Sequence, residues 1–434
     1  MRSVIAGALA LLCSTWCFAQ GPAAPVEEEQ SLPKYLTEAE RSLPLPVPEP
    51  DVAPPTGFVY CPAEYEPCEG LFIAWEGYTS ILTELAVSVT TGDPNAKVFV
   101  VVDTVSEQNS VYTTLSNAGA VMSRVQFIVC PTDTVWIRDY GPRFIYEDGR
   151  RAIIDHTYNR PRPNDNAFND FLSNYWSMPQ YDIPLTHGGG NFHLFSNGEA
   201  FMTDLILNEN PGMSATQVKN LYRTYQNLDL TIYPGFPTYF DSTQHIDMWM
   251  LPVGDYKVII GQYASSTGQP YTITENAVSD LLFRGYTVYR TPGWNTGGTH
   301  YTYTNAVILN HQVFMSKFGG SYTSQDAQAL AVFQQALPGH TVRQINCSSI
   351  ITAAGALHCI VMHVPEASSQ VVGDVNCDFA VDFGDINPFV LLLTNPTAWQ
   401  AKYPKCPELN GDINRDGVVD FADINPFVRL LTGP

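Results

Sequence analysis

The chain reads as an α/β domain of many short strands followed by a small all-α module, and three observations predict this. Between about residues 59 and 365, short runs rich in β-branched and aromatic residues alternate with helical patterns. Asp148-Gly149 stands between two strand-like runs, the turn chemistry of a tight hairpin. Near the C-terminus, a segment starting at Gly373 recurs at Gly411.

Taken in order, strands are expected over 96–104, 125–130, 152–156, 257–262, 306–309 and 359–363. Helices are expected over 80–91, 106–118, 276–283 and 324–336, where apolar residues recur at helical spacing. Asn310-His311 marks a second, weaker hairpin turn. Periodicity alone leaves open whether the strands form one sheet, a sandwich or separate blades.

At 434 residues the chain exceeds one ordinary domain. Hydrophobic residues make up 45% and charged residues 15%, which is a globular composition. The formal net charge of −21 comes with no basic stripe, so nucleic acid is excluded as a partner. Residues 1–19 look like a signal peptide: Arg2, then an apolar run from Val4 to Cys17, with small residues before a cleavage point after Ala19. No other stretch is apolar enough to span a membrane, so a secreted, periplasmic or cell-surface protein is expected.

Cleavage leaves Cys61, Cys68, Cys130, Cys347, Cys359, Cys377 and Cys406. An odd count leaves one thiol free. If Cys359 is the free one, Cys61 pairs with Cys68, Cys377 with Cys406, and Cys130 with Cys347 by elimination. Residues 20–56, rich in Pro, Ala and Glu, read as an extended spacer.

The C-terminal repeat, over residues 371–434, places oxygen-bearing side chains at loop positions 1, 3, 5, 9 and 12, the spacing that wraps a hard cation. Copy one offers Asp374, Asn376, Asp378, Asp382 and Asp385; copy two offers Asp412, Asn414, Asp416, Asp420 and Asp423. Two calcium ions are expected. Both loops end in Asp rather than Glu and resemble dockerin-type EF-hands, which implies a scaffold or cell-surface partner. The Ile-Asn-Pro-Phe-Val segments after each loop should begin short packing helices.

Four short motifs carry the chemistry. Trp136-Ile137-Arg138-Asp139-Tyr140-Gly141-Pro142 sets an acid among aromatic and glycine residues. His245-Ile246-Asp247, read as a strand, would point both polar side chains to one face. Asn305 lies in Thr304-Asn305-Ala306, and Cys359 follows Leu357-His358. Two carboxylates can grip a flat guanidinium cation, a thiolate can attack its carbon, and an imidazole can move the protons. No Gly-x-Ser-x-Gly or His-Glu-x-x-His occurs, which argues against serine hydrolases and zinc proteases.

In this order and context, the motifs resemble the porphyromonas-type peptidylarginine deiminase and agmatine deiminase family over roughly 58–365, within a domain taken as 57–366. The resemblance implies the pentein fold, a five-bladed α/β propeller with its site on the axis. It implies Cys359 as nucleophile, His245 as acid/base, Asp139 and Asp247 as the guanidinium grip, Asn305 in support and Trp136 along the channel, with no catalytic cofactor. Gly188-Gly189-Gly190-Asn191 also resembles a family segment; it lacks the Lys and Ser or Thr of a phosphate cradle. Arg160 and Arg162, in Asn159-Arg160-Pro161-Arg162-Pro163, resemble the peptidylarginine branch, where two arginines bind a terminal carboxylate. The expected substrate is therefore a peptide ending in Arg, converted to citrulline. Agmatine, converted to N-carbamoylputrescine, is the runner-up, and a catalytically inactive, calcium-stapled binding protein is the rival outside enzymes.

Overall fold

The computed structural model describes residues 31–48, 53–57, 59–367, 372–377, 380–403, 406, 408–414 and 418–432. The leader and the ligand candidates Asp378 and Asp416 lie outside them. Among the described residues, five separate sheets of three or four strands make up the larger part, with helices between their strands. Each sheet contains the same unit: an antiparallel strand pair, a helical segment, then a strand parallel to the second of the pair.

Lys257–Gln262 shows why the unit forms. It pairs antiparallel with Met250–Gly254 across a tight turn, while the helix Gln269–Phe283 carries the chain back to Thr287–Thr296 in parallel. A parallel return needs such a crossover, and a hairpin does not. The same unit recurs at Arg143–Glu147, Arg150–Tyr158 and Gln180–His187, and again at Val307–Leu309, Gln312–Lys317 and Thr341–Asn346. His193–Leu194, Glu199–Thr203 and Asp229–Tyr233 form a further copy. The remaining copy is split: Met362–Pro365, at the far end of this part of the chain, pairs with Cys68–Ala74.

Both expected hairpins are present. Asp148 and Gly149 take φ of 50° and 73°, and Asn310 takes 52°, left-handed values that Gly, Asn and Asp tolerate best. Helix ends follow local chemistry too. Ser214 and Gln217 form a reciprocal capping box at the start of Ala215–Gln226.

Two expected disulfides are overturned. Cys61, Cys68, Cys130 and Cys347 are buried free thiols. Cys61 packs in a core around Leu185, Phe192 and Tyr222, whereas Cys68 joins a different core with Leu71 and Val98. Cys130 and Cys347 are divided in the same way between two cores. Cys377 and Cys406 do form a disulfide. The spacer reading also fails over 31–40, because Lys34 and Glu40 are buried and the segment packs against the α/β part.

After the sheets, the described residues form the α-helices Ile386–Thr394, Pro396–Lys402 and Ile424–Thr432. They share a core of Val375, Phe389, Leu392, Trp399, Cys406 and Phe427. Phe389 and Phe427, equivalent in the two repeats, meet with ring centroids 4.4 Å apart. Asp385 accepts the amides of Val375 and Asn376, and Asp423 accepts that of Asn414, so each final loop acid closes its own loop.

Candidate active site

The chemistry-bearing side chains sit on short irregular turns next to strands. Asp139 lies in the single helical turn Ile137–Tyr140. His245 caps a 3₁₀ turn, Ile246–Met248, that contains Asp247, so the two do not share one face of a strand, and Cys359 lies in a second such turn, His358–Ile360. The strand expected over 359–363 begins only at Met362.

The structure brings these residues together. Asn305 Nδ2 donates to Asp247 Oδ2 at 2.9 Å and lies 3.1 Å from Cys359 Sγ. The thiol is 3.4 Å from the same carboxylate oxygen. Asn305 Oδ1 accepts the amides of Ala356 and His358, each at 3.1 Å, which fixes the turn carrying the thiol. His245 Nδ1 is 3.6 Å from Asp139 Oδ1.

Glycine is required where these groups converge. The Gly190 amide donates to Asp139 Oδ1 at 3.0 Å. A Cβ there would lie 2.7 Å from His245 Nδ1 and 2.8 Å from Asp139 Oδ1, closer than real contacts allow. The Gly188–Asn191 segment therefore serves close packing of the site, and Asn191 Oδ1 anchors the Ile246 amide at 3.2 Å.

Three residues of the site were not foreseen. His358 bridges Asp247 Oδ2 at 3.0 Å and Glu64 Oε2 at 2.9 Å. Glu64 in turn forms an ion pair with buried Arg138 at 2.6 Å. The third is Lys34. Its ammonium lies 2.9 Å from Cys359 Sγ and 3.4 Å from Asp139 Oδ1, with no exposed surface. The one signal was that Lys34 is the lone cation between Arg2 and Arg41 in an acidic stretch.

Arg160 and Arg162 face the same segment instead of an open mouth. Arg160 Nε donates to the Lys34 carbonyl at 3.0 Å. Arg162 pairs with Glu40 at 2.8 Å and donates to the Pro33 carbonyl at 2.7 Å. Trp136 Nε1 donates to the Leu32 carbonyl at 2.7 Å.

Electrostatics follow from burial and these neighbours. Burial raises the Cys359 thiol to about 12, Asp247 adds to this, and Lys34 opposes it. Burial works to raise Asp139 and Asp247, yet Lys34 and His245 together, with Arg160 near Asp139 and His358 bonded to Asp247, outweigh it and hold both below the usual carboxylate range. Burial and then Lys34 push His245 down to about 4, so its imidazole is neutral. Burial works to lower Lys34, but Asp139, Cys359 and Asp247 keep it charged.

Asp139 Oδ2, Asp247 Oδ1 and both nitrogens of His245 are buried without a hydrogen-bond partner. Unpaired buried groups of this kind are costly, so they point to a ligand. A planar cation with several N–H groups would satisfy both carboxylate oxygens, which a single ammonium does not.

Known proteins bear this out at the level of family and fold. A Marinomonas sp. protein provisionally named agmatine deiminase is 24% identical over 361 residues, spanning 71% of this chain and 95% of that protein. The agmatine deiminase of C. jejuni superposes with a TM-score of 0.61 at 19% identity, over 72% of this chain and 98% of that one. The agmatine deiminase of Enterococcus faecalis gives a TM-score of 0.63 at 17% identity, over 74% and 100%. The profile of the Porphyromonas-type peptidyl-arginine deiminase family matches residues 60–365. The chain belongs to that family, whose members hydrolyse a C–N bond of a guanidine group.

Proposed function

We propose that Cys359, His245, Asp139 and Asp247 convert the guanidine group of an arginine-type substrate to a ureido group, releasing ammonia. The carrying observation is a pair of buried carboxylates, each with an unpartnered oxygen: Asp247, whose other oxygen lies 3.4 Å from the thiol, and Asp139, which shares the Lys34 ammonium with that thiol. Asp139 and Asp247 hold the guanidinium in plane. Neutral His245 takes the Cys359 proton, and the sulfur bonds to the guanidinium carbon. His245 returns that proton to the departing nitrogen, which leaves as ammonia. Water then adds to the S-linked carbon, and the C–S bond breaks to regenerate the thiol. These side chains and water complete the reaction, and the presence of all four argues against an inactive binding protein. The five sheets would stand as blades around this site.

Two substrates are in play. The relatives' names favour agmatine, a small guanidine with no carboxylate. Peptidyl-arginine is supported by one observation: a stretch of main chain, residues 32–34, lies against Trp136, Arg160 and Arg162 beside the thiol. A terminal carboxylate would have to displace that segment to reach the arginines. Ammonia release from agmatine, a peptide ending in Arg and a peptide with internal Arg separates the readings. Release from none of them removes the deiminase reading.

We also propose that the repeat binds two calcium ions through Asp374, Asn376, Asp378, Asp382 and Asp385, and through Asp412, Asn414, Asp416, Asp420 and Asp423. Asp374, Asp385, Asp412 and Asp423 are buried carboxylates in loops of oxygen donors, which suits a hard cation. Phe383, Ile386 and Val390, with their repeat mates Phe421, Ile424 and Val428, remain exposed. That duplicated apolar face supports attachment to a scaffold or cell-surface protein. Export through the leader, with residues 57–366 and 371–434 as separate domains, completes the proposal. N-terminal sequencing of the mature protein tests the export.

A further inference from the structure

We propose that residues 31–42 are a built-in pseudosubstrate, with Lys34 filling the guanidinium subsite and the surrounding contacts marking a groove for peptide main chain. This rests on the deiminase reading above.

The segment is held along its length. Ser31 Oγ accepts the Val135 amide at 3.3 Å, and the Lys34 amide donates to the Ala353 carbonyl at 3.1 Å. The carbonyls of Leu32, Pro33 and Lys34 each accept a bond, from Trp136, Arg162 and Arg160 respectively. Carbonyl contacts read a peptide without reading its sequence, so they fit any extended chain. The cationic side chain between them is the one specific feature. Glu40 locks the far end: it pairs with Arg162 and accepts the Thr37 amide and hydroxyl at 2.8 and 2.7 Å.

Lys34 imitates a substrate without being one. Its ammonium reaches the thiol and Asp139 as a guanidinium would, but it carries no carbon that a thiolate can attack with loss of ammonia. With it in place, Cys359, His245, Asp247 and Asn305 are fully buried and Asp139 nearly so. A substrate cannot enter until the segment leaves. The groups that grip the segment also lie where a substrate's own main chain would run, which favours arginine inside a peptide over a free small guanidine.

The test compares the full chain with Lys34→Ala and with Lys34→Met, which keeps the stem and loses the charge; melting checks that each folds. Two readouts are followed: alkylation of Cys359 by iodoacetamide, mapped by mass spectrometry, and ammonia release from agmatine and an internal-Arg peptide. Freeing a blocked site raises its effective affinity in proportion to the competent fraction, so both rates should rise about tenfold or more. Unchanged or lower rates in both folded variants overturn the proposal, and a lower turnover assigns Lys34 to catalysis. Faster alkylation with no turnover of any guanidine keeps the pseudosubstrate and removes the deiminase reading. Faster turnover of agmatine alone, with the peptide untouched, overturns the peptide groove.

Discussion

Replacing Asp247 by Asn keeps the side-chain volume and removes one charge from the centre of the site. Asp247 Oδ2 serves Asn305 at 2.9 Å and His358 at 3.0 Å, while Oδ1 has no partner. An Asn oxygen in the Oδ2 position would keep both of those bonds. Its amide nitrogen would then occupy the Oδ1 position, aimed at incoming substrate N–H groups, donor against donor. The substrate loses one charge-assisted bond, about 1.5–3 kcal/mol, which at about 1.4 kcal/mol per decade is roughly a 10- to 150-fold drop in kcat/KM. Lys34 also loses an anionic neighbour, so Lys34→Met should offset part of any stability loss, a coupling that a double-mutant cycle reads directly. The assay is ammonia release, with melting in parallel, in the Lys34→Ala background so that substrate entry does not limit the rate. A kcat/KM within about threefold of that background would refute the assignment of Asp247 as a guanidinium ligand.

Cys359→Ser should abolish turnover with the fold retained by melting, because a hydroxyl here is a far weaker nucleophile; residual activity near the parent's refutes the thiol mechanism. Acid should destabilise the protein. His156, His245 and His363 are lowered to about 4, chiefly by burial, so the stability they contribute is full above about pH 6.5 and lost as pH falls toward 4. Asp139, Asp247 and Glu64, all held below their usual range, add a loss of the same sign below about pH 4.3. Buried Glu76, Asp155 and Glu209, raised chiefly by burial to about 8, 7 and 8, act in the opposite sense down to about pH 4.5. The test is therefore read below that, where a melting midpoint that rises as pH falls from about 4.5 to about 3 would contradict this. Calcium removal by a chelator should unfold residues 371–434 and leave ammonia release unchanged; equal activity loss and unfolding would show that the two parts depend on each other.

The parts of the site legible in the sequence are those whose chemistry is written in a few consecutive residues. Asp139, His245, Asp247, Asn305 and Cys359 meet because each lies in a short motif next to a strand end. Periodicity placed the helix Thr323–Ala336 and the strand Lys257–Gln262 almost to the residue, since both carry uninterrupted patterns. It failed at His245-Ile246-Asp247, where three residues are too few to tell a strand from a 3₁₀ turn. Glu64, His358 and Lys34 gain their roles only through partners far away in sequence, as the 325-residue gap between Lys34 and Cys359 shows. Cys61 and Cys68 were misjudged for the related reason that nearness along the chain does not decide which core a side chain enters.

The pairing of Met362–Pro365 with Cys68–Ala74 bears on how the protein is made. Cys359 sits three positions before Met362, so the proposed nucleophile is delivered by the last strand to arrive. A chain still emerging from the ribosome can build the earlier sheets, but the edge of Cys68–Ala74 stays unpaired until that strand is synthesised. Such a chain carries Asp139, His245 and Asp247 without a thiol between them. On the proposed mechanism, any truncation before Cys359 yields an inert protein, and one with an open, aggregation-prone edge.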